Sequence, residues 1–257
     1  MVEKSGYPSH MQLPLGFNSN IIELERIPSN NFKIPLDIIK KTPVPDLAFL
    51  TNLHNPSGVL ESSEKLREIA SIFANANSIV VVDEIFRPFT KAPTMAGMPG
   101  TAIVSSLSKC FGGAASRIGW IISNSEVIER CSNLKEWTNP EISMLGQNAG
   151  IALLKDKSSR LKLARSRIEE HQTAIKDICE RYGFTWYDSQ SVIGFPKIPL
   201  DDEKEFCNNL LKEGILVSPG RFFGIPGHIR LGWGVHSDDF YPAIEAFDSA
   251  LDKLLSE

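Results

Sequence analysis

The sequence feature that most constrains the fold is the apolar run Ile79-Val80-Val81-Val82, which ends in Asp83-Glu84. β-Branched side chains favour extended backbone, and a run without polar alternation is typical of a strand covered on both faces. Such strands belong to parallel sheets with helices packed on them. Ligands of these sheets bind at the carboxyl ends of the strands, which draws attention to the acid that follows the run.

The neighbouring segments predict that strands and helices alternate. Residues 1–50 are rich in Pro, Asn and Ser and predict loops and short strands, and the apolar run 47–50 leads into a turn at 52–58. Further strands are predicted at 102–106 and 120–122. A helix is predicted between the strands, because a serine that can cap it precedes apolar residues at helical spacing: Ser62 or Ser63, then Leu66, Ile69, Ala70 and Phe73. This order predicts an α/β domain.

The pattern changes in the last hundred residues. A long charged helix is predicted over 157–182, with an apolar stripe and Gly183 as its C-terminal cap. After it the chain predicts strands at 215–217 and 229–233 and helices at 202–214 and 238–255. We therefore expect a large domain over residues 1–150 and a smaller α+β domain over residues 151–257.

Composition excludes several classes of protein. The 257 residues carry 27 basic and 31 acidic side chains, a net charge of −4, so the bulk positive field of a nucleic-acid binder is missing. The four cysteines lie far apart without CxxC spacing, which argues against a zinc site or a dense disulfide framework. No apolar run is long enough to cross a membrane, and the first ten residues lack a signal-peptide core. We expect a cytoplasmic protein.

Lys109 is the leading candidate for chemistry. It follows the strand at 102–106 and precedes Gly112-Gly113, and Arg117 is close in sequence. Apolar strands on either side and a neighbouring cation would both favour the neutral, nucleophilic amine. Taken by itself, a loop lysine is more often a plain surface residue.

Other polar residues stand at positions that suit binding. Asp83 at a buried strand end needs a cationic partner, such as a protonated pyridine nitrogen, unless it caps a helix or forms an internal ion pair. Asn55 on the turn can donate to a phenolate oxygen or simply shape the turn. Ser106 and Arg117 suit a phosphate. Arg230, on an apolar strand, suits a carboxylate or an internal ion pair.

Together these segments resemble a known family. Its motifs occur here in the order that is typical of the family: N-x-x-N-P-S-G at 52–58, V-V-D-E at 81–84, S-L-S-K-x-x-G at 106–112 with R-x-G-W at 117–120, and I-R-L at 229–231. They resemble the class I/II aminotransferases, the fold-type I enzymes that use pyridoxal 5′-phosphate (PLP), over roughly residues 5 to 250. The resemblance implies a PLP-dependent transferase-like large domain with a mainly parallel sheet and a smaller α+β C-terminal domain.

The resemblance also implies roles around the cofactor ring. Lys109 would form the Schiff base with the PLP aldehyde and later act as general base. Asp83 would pair with the ring nitrogen, and Asn55 would donate to the ring oxygen. Tyr7, in Gly6-Tyr7-Pro8-Ser9-His10, resembles the aromatic residue that stacks on the ring. Phe86 stands where the family usually has a tyrosine, so it cannot donate to the ring oxygen.

The remaining roles concern the phosphate and the substrate. Ser106, Ser108 and Arg117 would hold the cofactor phosphate, and Arg230 would bind the substrate α-carboxylate. The implied reaction moves an amino group between an L-amino acid and a 2-oxo acid, in a homodimer. The family carries a further phosphate-binding segment upstream of the part that resembles Tyr7, and we find no counterpart of it here, so we expect part of the phosphate cup to be missing.

Three alternatives stay open. A shortened homologue could serve as a binding or scaffold subunit, and a PLP-dependent lyase or decarboxylase would use the same cofactor residues. Ser106-x-x-Lys109 also matches serine acyl-transferases of the penicillin-binding type, but the sequence has no downstream K-T-G. The amino-acid substrate is open among aromatic, aliphatic and phosphorylated types, and no second arginine for an acidic side chain is identified.

Overall fold

A mainly parallel, six-stranded sheet forms the N-terminal part of the molecule. The computed structural model describes residues 1–255. The strands are β1 Val2–Glu3, β2 Glu23–Leu24, β3 Leu47–Thr51, β4 Ile79–Asp83, β5 Thr101–Ser106 and β6 Gly119–Ile122. They stand in the order β2-β1-β3-β4-β5-β6, and only β6 runs antiparallel to its neighbour. The predicted fold class is confirmed.

Helices and a small second sheet make up the rest. The helices are α1 Pro8–Gly16, α2 Leu36–Lys41, α3 Ser63–Asn75, α4 Ser125–Thr138, α5 Met144–Lys155, α6 Lys157–Arg181, α7 Glu203–Lys212 and α8 Ser237–Leu255. The second sheet contains β7 Ile193–Gly194, β8 Ser218–Pro219 and β9 Ile229–Gly232 in the antiparallel order β7-β9-β8. Within residues 1–255, none of the helices combines the length and apolar character needed to span a bilayer.

The apolar run that was predicted to form a covered strand is β4, at the centre of the sheet. Val80 and Val82 are buried, and the other side chains of this strand are partly buried. The adjacent helix α3 begins as expected, since the Ser62 hydroxyl accepts a hydrogen bond of 3.2 Å from the Lys65 N–H. The apolar stripe of α3 packs into the same core as β4. Burial of such side chains contributes about 1.5–3 kcal/mol each.

Two predictions about local structure are wrong. Residues 1–50 were expected to form loops and short strands, but they also contain the helices α1 and α2. Pro8 has the backbone angle that the first turn of α1 needs. Asp37 in the first turn and Lys41 in the last turn of α2 complement the helix dipole. The strand expected at 215–217 is also absent, and β8 begins at Ser218. The reason is that the Ile215 N–H still closes the end of α7 on the Leu210 carbonyl.

The apolar interior has separate clusters. One packs β3, β4 and α3 together, and another packs α6, α7, α8 and β9. A third cluster joins Leu53 and Leu107 beside the large sheet to Ile168 of α6 and Ile193 of β7. The division near residue 150 stays a prediction, since α6 contributes to the clusters on both sides of it.

A buried ion pair holds the first three strands near their carboxyl ends. The guanidinium of Arg26 lies 2.6 Å from the Glu3 carboxylate, and both side chains are fully buried. Glu3 also accepts hydrogen bonds from the backbone N–H and the hydroxyl of Thr51, the last residue of β3. The pair therefore fixes Thr51, which lines the cavity described next.

Candidate active site

A cavity of about 810 Å³ lies at the carboxyl ends of β3, β4 and β5. Its other walls come from α6 and from the segment that contains β9. This volume is typical of small-molecule sites. Most of the residues singled out from the sequence line it: Tyr7, Asn55, Asp83, Phe86, Ser108, Lys109 and Arg230. Ser106 and Arg117 are not among the lining residues.

Asp83 presents an acid to the cavity at the end of β4. One carboxylate oxygen accepts a hydrogen bond of 2.8 Å from the Ile85 N–H, and the other lies 3.8 Å from His10 Nε2. Burial raises the pKa of the Asp83 carboxyl above its ordinary value. Within residues 1–255, no lysine or arginine forms an ion pair with it. A cationic nitrogen in the cavity would therefore be stabilised here.

Helix α1 brings an aromatic pair to the same end of the sheet. Tyr7 immediately precedes the helix, and its ring meets that of His10 edge-on at 5.4 Å. His10 in turn stacks on Phe49 of β3 at 5.7 Å. No role for His10 follows from the sequence alone, although its spacing of three residues from Tyr7 places the two side chains side by side once a helix is recognised.

Asn55 and Arg230 meet across the cavity wall. The Arg230 guanidinium donates a hydrogen bond of 3.1 Å to the amide oxygen of Asn55. Because a guanidinium can only donate, this contact assigns the oxygen of the amide to Arg230 and leaves the Asn55 NH₂ group to donate elsewhere. Arg230 also lies over the Phe223 ring at 5.1 Å, and burial lowers the pKa of its guanidinium.

The turn that carries Asn55 is held by its own hydrogen bonds. The Gly58 N–H donates to the His54 carbonyl at 2.6 Å, and the Asn52 amide oxygen accepts from the Glu61 N–H at 2.9 Å. The His54 ring lies 2.7 Å from the Ser57 hydroxyl, and burial holds the pKa of His54 well below its ordinary value. The turn is therefore a rigid, neutral support for Asn55.

Lys109 reaches the cavity from the loop after β5, but the expected desolvation is wrong. Its side chain is exposed, although Leu107, Cys110 and Phe111 of the same loop are buried. The Lys109 amine forms no hydrogen bond or ion pair with any residue from 1 to 255. The amine is thus free to react with a bound ligand.

The three residues expected to hold a phosphate are not gathered around the cavity. Ser108 lines it, whereas the Ser106 hydroxyl accepts a hydrogen bond of 3.1 Å from the Ser108 N–H beneath the loop. Arg117 is exposed, with φ of 53°, and donates to the Ala114 carbonyl at 3.1 Å. The assignment of Ser106, Ser108 and Arg117 to a cofactor phosphate stays a prediction.

Phe86 and Cys110 limit the chemistry of the cavity. Phe86 is buried against Phe89, with ring centroids 6.3 Å apart, and offers no hydrogen-bond donor. The Cys110 thiol is 3.2 Å from the Ile85 carbonyl, and burial raises its pKa to about 12. A thiolate nucleophile beside Lys109 is therefore disfavoured.

Helix α6 adds two arginines that the sequence analysis missed. Arg160 and Arg167 line the cavity together with Ala164 and Ile168, which belong to the apolar stripe predicted for this helix. Their positions on the same helical face are the signal that could have indicated them.

Comparison with known proteins finds a family model for most of the chain. The model described as aminotransferase class I and II matches residues 5–247. Among curated proteins, a histidinol-phosphate aminotransferase of Brevibacillus brevis is 29% identical over 195 residues, which cover 73% of this chain and 52% of the relative. Histidinol-phosphate aminotransferase 2 of Haemophilus influenzae is 28% identical and covers 81% of this chain and 56% of the relative. This chain thus spans about half the length of these relatives.

Solved structures show the same fold. A PLP-dependent aminotransferase from Streptococcus suis superimposes with a TM-score of 0.89 at 21% identity and covers 100% of this chain and 71% of that one. A double mutant of Thermus thermophilus aspartate aminotransferase superimposes with a TM-score of 0.87 at 20% identity over 97% of this chain and 69% of that one.

Proposed function

Since this chain belongs to the class I and II aminotransferase family, we propose that it acts as a transaminase between an L-amino acid and a 2-oxo acid. The observation that carries the proposal is the meeting of Asp83, Lys109 and Arg230 around one cavity. An acid, a free amine and a guanidinium are the groups needed to hold a heteroaromatic cofactor, attach it and bind a carboxylate. These residues are far apart in the sequence, so their presence around one cavity is not explained by chain proximity.

The family and the relative from Streptococcus suis imply PLP as the cofactor. The residues fit its ring: Asp83 is a partly buried acid without a lysine or arginine partner among residues 1–255, and the NH₂ group of Asn55 is left to donate. Tyr7 supplies an aromatic face at the same end. The phosphate has less support, because Ser108 is the member of the expected set that lines the cavity.

Each residue then has a physical task. When bound, PLP supplies an aldehyde that condenses with amines and a ring that withdraws electrons from the substrate α-carbon. The amine of Lys109 would hold the aldehyde covalently and would serve as the base that accepts the α-proton of the substrate. Arg230 holds the substrate carboxylate and thereby orients the bond that breaks. Asp83 would favour a proton on the ring nitrogen when the cofactor is bound, and Phe86 and Phe89 would exclude water from one wall.

The names of the curated relatives suggest the first substrate to test. Both are histidinol-phosphate aminotransferases, so L-histidinol phosphate and other phosphorylated amines belong in the panel beside aromatic and aliphatic amino acids. Whether the reaction is transamination or another PLP-dependent reaction, such as decarboxylation, is decided by the products. With an amino acid as the amino donor, formation of a 2-oxo acid supports our proposal, whereas release of carbon dioxide supports the alternative. L-histidinol phosphate has no carboxyl group, so its transamination would be detected as formation of the corresponding ketone.

A homodimer in the cytoplasm is part of the proposal. Helices α4 and α5 expose large apolar side chains, among them Trp137, which is 89% exposed, Met144 and Leu145. Large apolar side chains exposed on consecutive helices favour an interaction surface there. A mass near that of one chain in light scattering would contradict the dimer.

A spectral titration tests the function. Purified protein mixed with PLP should develop an absorption band of the lysine-bound cofactor, and the band should change when a suitable amino acid is added. The Lys109→Ala variant should lack the band. Absence of any band in the folded wild-type protein would contradict the proposed function and support a non-catalytic homologue that binds partners.

A further inference from the structure

The Arg230 guanidinium is held by an aromatic ring as well as by a hydrogen bond. Besides donating to Asn55, it lies over the Phe223 ring, with 5.1 Å between the guanidinium carbon and the ring centroid. A planar guanidinium over an aromatic face is attracted by the ring and keeps its N–H groups free in its own plane. The position of Phe223 therefore contributes to the direction in which Arg230 presents its donors.

Phe223 belongs to a closed loop, residues 220–228, which connects β8 to β9. The Gly220 N–H donates a hydrogen bond of 2.7 Å to the His228 carbonyl and so closes the loop at its base. The Phe223 side chain is buried and meets the Phe195 ring edge-on at 5.6 Å. Because loops are usually the mobile part of a fold, this loop can orient a guanidinium only if its conformation is fixed.

Glu203, the first residue of α7, fixes the loop from the protein side. Its side chain is 5% exposed. One carboxylate oxygen accepts hydrogen bonds from the backbone N–H and the guanidinium of Arg221, both at 3.2 Å. The other oxygen accepts from the Gly227 N–H at 2.6 Å. Hydrogen bonds to an ionised acceptor are roughly twice as strong as neutral ones, so one buried carboxylate holds the loop near both of its ends.

The contacts of Glu203 lie close to the groups that face the cavity, although Glu203 is not among the lining residues that the structure describes. Arg221 stands two positions before Phe223. Gly227 stands three positions before Arg230. Because the backbone between such close positions is short, the two contacts restrain both the ring and the strand that carries the guanidinium.

We propose that Glu203 is a positioning residue for binding of the substrate carboxylate. It fixes the loop 220–228 and with it the Phe223 ring, which orients the Arg230 guanidinium. The inference rests on the proposed function, in which Arg230 binds that carboxylate. A purely electrostatic role has the opposite sign, because removing a negative charge would by itself favour an anionic ligand. Loss of positioning predicts weaker binding of the carboxylate.

Calorimetric binding of unreactive ligand pairs to the PLP-supplemented protein tests the proposal. 3-Phenylpropanoate is compared with 3-phenylpropanamide, and 4-methylpentanoate with 4-methylpentanamide, so each pair differs in a carboxylate against a neutral amide. For at least one pair we expect the wild-type protein to bind the carboxylate about tenfold more tightly. Glu203→Gln should reduce this preference about threefold or more by weakening the carboxylate alone. The reason is that a glutamine amide has one acceptor oxygen and cannot accept from both Arg221 and Gly227.

Matched variants separate positioning from charge and from stability. Glu205→Gln makes the same change at an exposed residue in the same helical turn and should retain the wild-type preference. Phe223→Leu should reduce the preference, because an aliphatic side chain offers no ring face to the guanidinium. Phe222→Leu, at the neighbouring exposed position, should not reduce it. In the Arg230→Ala background, Glu203→Gln should cause no further loss of preference.

Several results would overturn the inference. Equal binding of carboxylate and amide by the wild-type protein would do so. A Glu203→Gln variant that keeps the full preference, binds the carboxylate more tightly or weakens both ligands equally would do so as well. If this variant does not fold, an equal preference in Phe223→Leu and Phe222→Leu overturns the inference instead. The proposed function is judged separately by the cofactor band, and the dissociation constants are measured whether or not the band forms.

Discussion

The hydrogen bond of 3.1 Å from the Arg230 guanidinium to the Asn55 amide oxygen joins residues 175 positions apart at one wall of the cavity. It links the turn after β3 to a strand of the small sheet. Because the amide oxygen of Asn55 accepts the hydrogen bond from Arg230, the NH₂ group is left to donate elsewhere. The hydrogen bond therefore couples the position of Asn55 to that of Arg230.

Replacing Arg230 should impair substrate binding more than folding. We expect Arg230→Ala to raise KM for the carboxylate substrate about 10- to 100-fold, since hydrogen bonds to charged groups contribute about 1.5–3 kcal/mol each. Arg230→Lys keeps the charge but loses the paired donors, so its KM should lie between those of the wild type and the alanine variant. Steady-state kinetics on both variants checks this, and an unchanged KM for Arg230→Ala would contradict the assignment.

Asp83→Asn should separate stability from function. Burial raises the pKa of Asp83, so the folded state holds the proton more tightly than the unfolded chain does. The free energy of unfolding should then fall as the pH rises from the pKa of Asp83 in the unfolded chain to its higher pKa in the folded protein. Above that interval the ionised carboxylate destabilises the cofactor-free protein. The amide should abolish this dependence, raise the melting temperature at neutral pH and weaken PLP binding. Melting curves against pH, without PLP, give the first two quantities.

Arg26 is expected to be a major determinant of stability. Arg26→Met leaves Glu3 as a buried, uncompensated charge, which typically costs about 3–5 kcal/mol. The double variant with Glu3→Gln removes that charge and should recover part of the loss. Urea denaturation of the two variants measures the difference, and equal stability of Arg26→Met and wild type would show that the pair contributes nothing.

Gly58 and Gly112 offer a matched test of backbone and packing effects. Both have positive φ, at 73° and 68°, so an alanine is strained by about 1–2 kcal/mol at either position. At Gly58 the added Cβ would also collide with the Ser189 hydroxyl and the Ile193 carbonyl, whereas nothing lies within 4 Å of it at Gly112. Gly58→Ala should therefore lose clearly more stability in chemical denaturation. Equal losses would show that the collision is relieved at no cost.

The sequence predicted those features that depend on local pattern. The central strand at Ile79–Asp83, the capped helix after Ser62 and the long helix α6 follow from runs and periodicities of adjacent residues. The order of the motifs then predicted which residues lie around one site, and most of these residues line the cavity. The helix α1 was missed because its two prolines and weak apolar stripe hide it, and His10 was missed with it.

Exposure could not be predicted in the same way. Whether the side chain of Lys109 is buried or exposed depends on how the loop after β5 packs against segments distant in sequence, and the residues next to Lys109 in the chain do not determine this. The same holds for Arg117, whose guanidinium turns to the Ala114 carbonyl and not to the cavity. Likewise, only the three-dimensional structure shows that Arg160 and Arg167 of α6 line the same cavity as Asp83.

Chemical trapping on Lys109 tests the central claim most directly. The protein is incubated with PLP, treated with borohydride to reduce any carbon–nitrogen double bond to lysine, digested and mapped by mass spectrometry. Our account predicts a stable pyridoxyl label on Lys109, with Lys91 and Lys135 as internal controls that remain unlabelled at stoichiometric cofactor. A folded protein in which Lys109 carries no label, or no more than those control lysines, would contradict it.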